Sequence, residues 1–480
     1  MFGIHNVNKN SGAIICTVLI PVFLSCFYIF SWLNPTKQRP NIVFVLVDDM
    51  RWDEYGKAGH PYIKTPNIDR LANEGVRFTQ AFCSTPLCSP SRASFLTGQY
   101  AHTHGIIDNT RRNERSHQLN TFPKIMNQAG YQTAFLGKWH MGNDDSPRPG
   151  FDYWAAMEGQ GEARDPKLNI NGERKQLNGY VTDVLTDLAL QFLRQKRSAP
   201  FLLYLSHKAL HPNIVQRDDG SVVNIGEGGF IPADRHKGSY ANQVFKRRPN
   251  HAISPVDKPA LLRQIGDLLP LGPKTATDEQ TIRDRAEMML AVDEGLGKLM
   301  QELERTGQLD QTMIVLAGDN GYWYGEHGLN DERRLAYEEG IRIPLLIRYP
   351  EFKAKGASIK YMVQNIDLAP TILESANINI PDDMEGKSLI PLIKNQRKGW
   401  RKSIMIEYYS DIVFPRIANM GYKAIRTERY KYIRFEELKG MDEMYDLKTD
   451  PFELNNVITH PDSQETYSQL KKELNALLKQ

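Results

Sequence analysis

The chain has almost no net charge: 60 Lys and Arg stand against 57 Asp and Glu over 480 residues, a formal +3. That leaves no strong electrostatic footprint for nucleic acid and argues against a DNA-binding role. Cysteine is equally scarce. Four cysteines cannot staple a chain of this length, and two of them, Cys16 and Cys26, sit in an N-terminal apolar segment. Cys83 and Cys88 remain, and in an exported protein a disulfide between them is the first reading. There is no internal repeat and no low-complexity tract, which excludes solenoids and fibrous folds. What is present, 41% hydrophobic and 24% charged residues with 35 Gly and 27 Pro, is ordinary globular usage with enough apolar material for a large core. Length alone suggests two or three domains.

Only one long hydrophobic run occurs, residues 14–33, preceded by Lys9 and followed by Asn34, Pro35, Thr36 and Lys37. Charge first and apolar stretch second is the pattern of an export signal. About 20 apolar residues also suffice to span a bilayer, so an uncleaved anchor is the alternative. Leu24, Ser25 and Cys26 faintly resemble a lipoprotein cleavage site, but the apolar run continues past the cysteine. Residues 1–33 are therefore read as a signal peptide or N-terminal membrane segment, and the protein as periplasmic or secreted.

Four short apolar runs, 41–47, 133–136, 201–205 and 313–317, each end abruptly in polar or ionisable residues. These are Asp48 and Asp49; Lys138 and His140; Ser206, His207 and His211; and Asp319 and Asn320. Runs without alternation suit strands buried on both faces, as in a parallel sheet covered by helices. Helices are expected between them: 65–74 with Pro66 at its start and Gly75 at its stop, 180–195, and 278–305 with Gly307 beyond it. Alternating strands and helices predict a doubly wound α/β sheet, mostly parallel, whose ligand site lies beyond the carboxyl ends of the strands. After about residue 380 the texture changes. Partly alternating segments at 403–408, 422–426 and 430–434, then a helical 467–478, predict a smaller α+β subdomain with an antiparallel sheet. Between Pro212 and Lys274 the chain is rich in Gly, Pro and charge with little periodicity, as substrate loops or variable surface are.

Asp48, Asp49, Asp319 and Asn320 offer hard oxygen ligands from two strand ends, suited to Ca²⁺, or less well Mg²⁺, rather than zinc. Carboxylates at the buried end of an apolar strand are costly without a cation. The most specific segment is 86–98, in which Cys88, Pro90 and Arg92 are followed by Leu96, Thr97 and Gly98. A thiol ahead of a helix start is also the setting of an activated cysteine or a plain core residue.

This segment closely resembles the signature of the type I, formylglycine-dependent sulfatases of the alkaline phosphatase-like superfamily. The resemblance runs from about Arg39 to Pro451 and takes in 66–72, 137–142, 318–321 and Tyr337, Glu338 and Glu339. It implies a catalytic domain over 38–380 and a C-terminal subdomain over 381–480. It further implies that a formylglycine-generating maturation enzyme oxidises Cys88 to formylglycine (3-oxoalanine), whose hydrate is a geminal diol. Position by position, Ca²⁺ would be held by Asp48, Asp49, Asp319, Asn320 and modified Cys88, and would act as Lewis acid and template. Arg92 matches the arginine that holds the modified side chain. Lys138 would neutralise a sulfate oxygen, and His140 would deprotonate the second hydroxyl as sulfate departs. His211, with His207 as second choice, would protonate the leaving sugar oxygen. Where the family usually carries a lysine, four residues before Tyr337, this chain has Arg333 beside Arg334. Arginine binds sulfate but cannot donate a proton, which shifts the acid role further onto His211.

The Leu87–Cys88 context together with residues 232–238 resembles N-acetylglucosamine-6-sulfatase-like and algal polysaccharide enzymes, including those acting on ulvan. The implied substrate is a sulfated carbohydrate, a polysaccharide or its oligosaccharides. Candidate subsite residues are Arg51, Trp52, His104, Asn109, Arg235, His236 and Lys237. Two alternatives stay open: a phosphonate monoester or phosphodiester hydrolase of the same superfamily, and a non-catalytic carbohydrate-binding relative.

Overall fold

Along the strand Asn41–Val47, Ile42, Phe44 and Leu46 enter one hydrophobic core, while Val43, Val45 and Val47 enter another on the opposite face. Burial on both faces is why the sequence shows no alternation there. The computed structural model describes residues 39–480 apart from 111, 225–227, 332, 411–413 and 480. The expected export or anchor segment, with Cys16 and Cys26, lies outside the described residues.

The central sheet has ten strands, in the order Ala357–Ile359, Val76–Phe78, Leu345–Arg348, Thr312–Gly318, Asn41–Val47, Phe201–His207, Gln132–Lys138, Tyr153–Met157, Lys167–Ile170 and Glu173–Gln176. The five from Thr312–Gly318 to Tyr153–Met157 are mutually parallel. Leu345–Arg348, Lys167–Ile170 and Glu173–Gln176 pair antiparallel, so the sheet is mixed at its flanks and parallel at its heart. The four apolar runs expected from the sequence are adjacent in this parallel heart. Their registers align Val47 with Gly318 and His207, and Gly137 with Ser206, which brings all four carboxyl ends to one rim. Gly137 itself is needed there, since a Cβ at its φ of +109° would collide with the Ser206 carbonyl.

Helices cover both faces. Pro66–Glu74, Val181–Arg194 and Glu279–Arg305 pack on the Val43 side through Ile68 and Leu71, Leu185 and Ala189, and Met289 and Leu296. Asp278 caps the longest of them by accepting from the Thr281 N–H at 2.8 Å. On the Phe44 side lie Cys88–Thr97, Phe122–Gln128 and Leu368–Ser375. Every residue of Cys88–Thr97 is buried, so its sequence carries no amphipathic stripe.

The C-terminal sheet is an antiparallel meander of Ser403–Tyr408, Tyr422–Thr427, Tyr430–Phe435 and Glu443–Asp446. Here period-two alternation holds: Ile404, Ile406 and Ala424 face the first core, while Met405, Ile425 and Met444 receive Leu470 and Leu474 of the closing helix Gln464–Leu477. The expected α/β architecture with a smaller antiparallel sheet is thus the observed one. Among the described residues no helix is long and apolar enough to cross a membrane.

Candidate active site

Cys88 is the first residue of a helix whose N-terminus faces the sheet rim, one turn ahead of Arg92. The Arg92 guanidinium is buried among acceptors. Its Nε donates to Asp319 Oδ2 at 2.9 Å, Nη1 to the Lys138 carbonyl and Ser206 Oγ, both at 2.7 Å, and Nη2 lies 2.8 Å from Asp319 Oδ2 and 3.3 Å from Asp48 Oδ1. One side chain therefore ties the helix to all four strand ends. The expected disulfide is not formed: Cys83 and Cys88 are both free and buried. The Cys83 thiol points instead to the Ile341 carbonyl at 3.4 Å, whereas the Cys88 Sγ lies 3.6 Å from Asp48 Oδ1.

Asp48, Cys88 and Asp319 bring one ligand atom each within 4.8 Å of one another. Asp49 joins them through Asn320 Nδ2, which donates to its Oδ1 at 2.7 Å, and through its own N–H, which donates to Asp319 Oδ1 at 2.8 Å. Asp49 has a φ of +56°, a left-handed geometry uncommon outside glycine and typical of over-determined functional sites. Burial raises the affinity of Asp48 for a proton, but Lys138, in direct contact, and Arg92 outweigh it and hold the carboxyl well below its usual range. For Asp319 burial and the Asp48 charge push the same way, up to about 7. Burial likewise pushes the Cys88 thiol up to about 12, against Lys138, so at neutral pH it is a protonated thiol rather than a thiolate nucleophile.

Three further groups neighbour the cluster. His140, at φ +51°, directs Nε2 to Gln216 Oε1 at 2.7 Å, and its buried Nδ1 has no partner. His211 donates Nδ1–H to the Pro212 carbonyl at 2.9 Å and turns Nε2 to Arg333 Nη2 at 3.1 Å. The Arg333 Nε lies 3.1 Å from Asp49 Oδ1. Burial first and the Lys138 charge second depress the pKa of both imidazoles. His207 is different. It follows Leu203 and Leu205 onto the opposite face of its strand, where Asp183 is its charged neighbour, while Ser206 faces Arg92. Of the two histidines, the structure brings His211 to the cluster.

Arg333 also lines a cleft of about 950 Å³, together with Pro212, Phe230, Lys237, Asp284 and Phe414. Of the seven candidate subsite residues, Lys237 alone lines it. His104 is a buried partner of Ser94 Oγ, Asn109 Oδ1 accepts from the Ser89 N–H, and Arg51 is buried against Asp53 and Glu326. Trp52 is stacked by Arg51, Arg248 and Arg342, and Arg235 and His236 are occupied by Asp183 and Glu294.

Residues 40–378 match the family model described as Sulfatase. The chain belongs to the sulfatase family. A second model, N-sulphoglucosamine sulphohydrolase, C-terminal, matches residues 325–480. An N-acetylglucosamine-6-O-sulfatase of Bacteroides thetaiotaomicron is 33% identical, over 97% of this chain and 90% of its own length. An ulvan-active sulfatase of Formosa agariphila is 31% identical, over 93% and 82%. A solved structure, described as a complex with its substrate D-glucosamine-2-N,6-O-disulfate, is 32% identical with a TM-score of 0.79, over 92% of this chain and 98% of that one. This sulfatase is therefore a sulfuric ester hydrolase, the enzyme class that the Cys88 segment implied.

Several groups that hold the sulfatase site together carry no motif. Arg285, from the long helix, donates to the Asp49 and Leu210 carbonyls at 2.8 and 3.0 Å and fixes both loops. Asn365 Nδ2 donates to Ser91 Oγ at 3.0 Å, and Ser91 in turn holds the Asp319 carbonyl. Lys208 is buried, donates to the Gln160 and Pro212 carbonyls, and is pushed down to about 7 by burial and then by Lys138. Only its place beside His211 in a polar strand end could have flagged it.

Proposed function

We propose that this sulfatase removes a single sulfate ester from a carbohydrate, through a formylglycine made from Cys88 by a maturation enzyme and with one bound Ca²⁺, outside the cytoplasm. The observation that carries the reading is the state of the rim cluster. Burial pushes its thiol up to about 12, and burial with the Asp48 charge pushes Asp319 up to about 7. Asp49 Oδ2 and Asn320 Oδ1 are buried with no partner. Three crowded carboxylates, with one carboxylate oxygen and one amide oxygen orphaned among them, fit a hard divalent cation, and Asp48, Asp49, Asp319, Asn320 and modified Cys88 would hold it. Such an ion supplies charge neutralisation and polarises sulfate oxygens; the hydrated aldehyde supplies a hydroxyl nucleophile and a second hydroxyl. Lys138 and Arg333 add fixed positive charge for the sulfate. His140 Nδ1 takes up a proton; His211 Nε2, which accepts from Arg333 Nη2 in the free enzyme, would carry the proton for the leaving sugar oxygen once the ester is bound. A bound sulfate ester places negative charge beside His211 and so offsets the Lys138 and Arg333 charges that depress it.

Chelation tests the cation. Dialysis against a strong chelator is expected to remove about one equivalent of calcium and most of the turnover, with recovery on adding Ca²⁺. An enzyme that keeps full activity with no metal in elemental analysis would contradict the ligand assignment.

The charge of the cleft supports a narrower reading of the substrate. Asp278, Asp284, Glu287 and Asp331 line it along with Lys237 and Arg333, and Lys237 is paired with Asp234. A second anion on the sugar meets mainly carboxylates there, so an otherwise uncharged residue such as 6-sulfated N-acetylglucosamine fits better than a disulfated one. The expected kcat/KM favours the N-acetyl 6-sulfate over the N-sulfated 6-sulfate by about tenfold, roughly one unfavourable charge contact in a solvated cleft. Equal rates on the two sugars would remove this selectivity argument.

A further inference from the structure

We infer that Gln216 is a positioning residue for His140, holding the imidazole in its Nε2–H form so that the bare Nδ1 faces the site. The hydrogen bonds force this assignment in sequence. Gln216 Nε2 lies 3.1 Å from the Gly220 carbonyl, which can only accept, so the amide nitrogen must be on that side. Gln216 Oε1 therefore faces both Gln160 Nε2, at 3.0 Å, and His140 Nε2, at 2.7 Å. An amide oxygen only accepts, so His140 Nε2 carries the ring proton. Burial and the neighbouring Lys138 charge keep the ring neutral, and a neutral imidazole has one proton. Nδ1 is thus the free base, and it is the buried ring atom left without a partner.

The arrangement depends on the irregular stretch after Pro212. Ile214–Gln216 pairs antiparallel with Val222–Asn224, and the turn between them presents the Gly220 carbonyl that orients the amide. Asn143 Nδ2, just beyond His140, donates to the Gln216 carbonyl at 3.1 Å and pins the short strand from the other side. A loop that reads as substrate-binding or as variable surface therefore also sets a proton position.

The inference deepens the reading of His140 as a base, and its test separates the two. In the full chain labelled with ¹⁵N-histidine, with Cys88 as the thiol, the His140 resonances, identified by their loss in His140→Gln, are expected to show a protonated Nε2 and an unprotonated Nδ1. Gln216→Leu removes the acceptor and should give a tautomer mixture; Gln216→Glu keeps an acceptor and should retain the wild-type form. In matured enzyme Gln216→Leu is expected to lower kcat roughly 10- to 100-fold with KM within about twofold, and Gln216→Glu to restore most of it. An Nδ1–H tautomer in the wild type, or an unchanged tautomer in Gln216→Leu, overturns the inference, and so does a shifted tautomer with unchanged kcat. Full turnover in His140→Ala would instead sink the base assignment, whatever the resonances show.

Discussion

Cys88→Ser is expected to lower turnover by about 10⁴-fold or more while leaving the thermal unfolding transition within a few degrees of wild type. The substitution replaces one sulfur by oxygen at the first position of a buried helix, where a hydroxyl is well tolerated and no core volume of consequence is lost. The one hydrogen bond at stake, from Sγ to Asp48 Oδ1 at 3.6 Å, is one that a serine hydroxyl can also donate. What disappears is the thiol that oxidation turns into an aldehyde. Two measurements check this: kcat on a sulfated sugar, and peptide masses showing Cys88 converted in the active wild type. Near-normal turnover by the serine variant, or active wild type with an unconverted thiol, leaves the proposed nucleophile without support.

Asp48→Asn is expected to cost both activity and stability. Asp48 is fully buried and is the shared counter-ion of Lys138 and Arg92. Its low proton affinity, held down by those two cations against burial, means that the charged form is the one in the fold. Neutralising it leaves two buried cations with less compensation, a change that typically destabilises by about 3–5 kcal/mol. It also removes a proposed metal ligand, so the loss of kcat should reach about 10³-fold. Chemical denaturation and steady-state rates measure the two effects separately. A variant that turns over within tenfold of wild type would show that the cluster is not the reacting centre. By the same logic, acidification destabilises through this group. Its folded-state pKa is depressed, so the stability it confers is present above the usual aspartate range and is lost as pH falls through that depressed value.

Much of the site was legible because a parallel strand buried on both faces must be an unbroken apolar run, and its end must be where polarity resumes. Asp48, Asp49, Lys138, His140, Asp319 and Asn320 all stand at such ends. The flanking strands were not legible: Val76–Phe78 and Ala357–Ile359 are three residues long, too short for any period to register. The choice between His207 and His211 turned on strand parity, which puts Ser206 towards Arg92 and His207 on the face beside Asp183. Cys83 and Cys88, five positions apart, looked like a pair; the helix starting at Cys88 turns one thiol to the rim and leaves the other against the Ile341 carbonyl.

By itself the sequence determined the strand ends, a helix start close to Cys88 and the types of group available for chemistry, since these follow from local hydrophobic pattern and a short motif. Only the tertiary structure decided which groups meet. Gln216 lies 76 residues from His140, and Arg333 lies 122 from His211. Contacts of that span carry no local signature, because they are fixed by where packed layers and loops come to rest rather than by the neighbours of either residue.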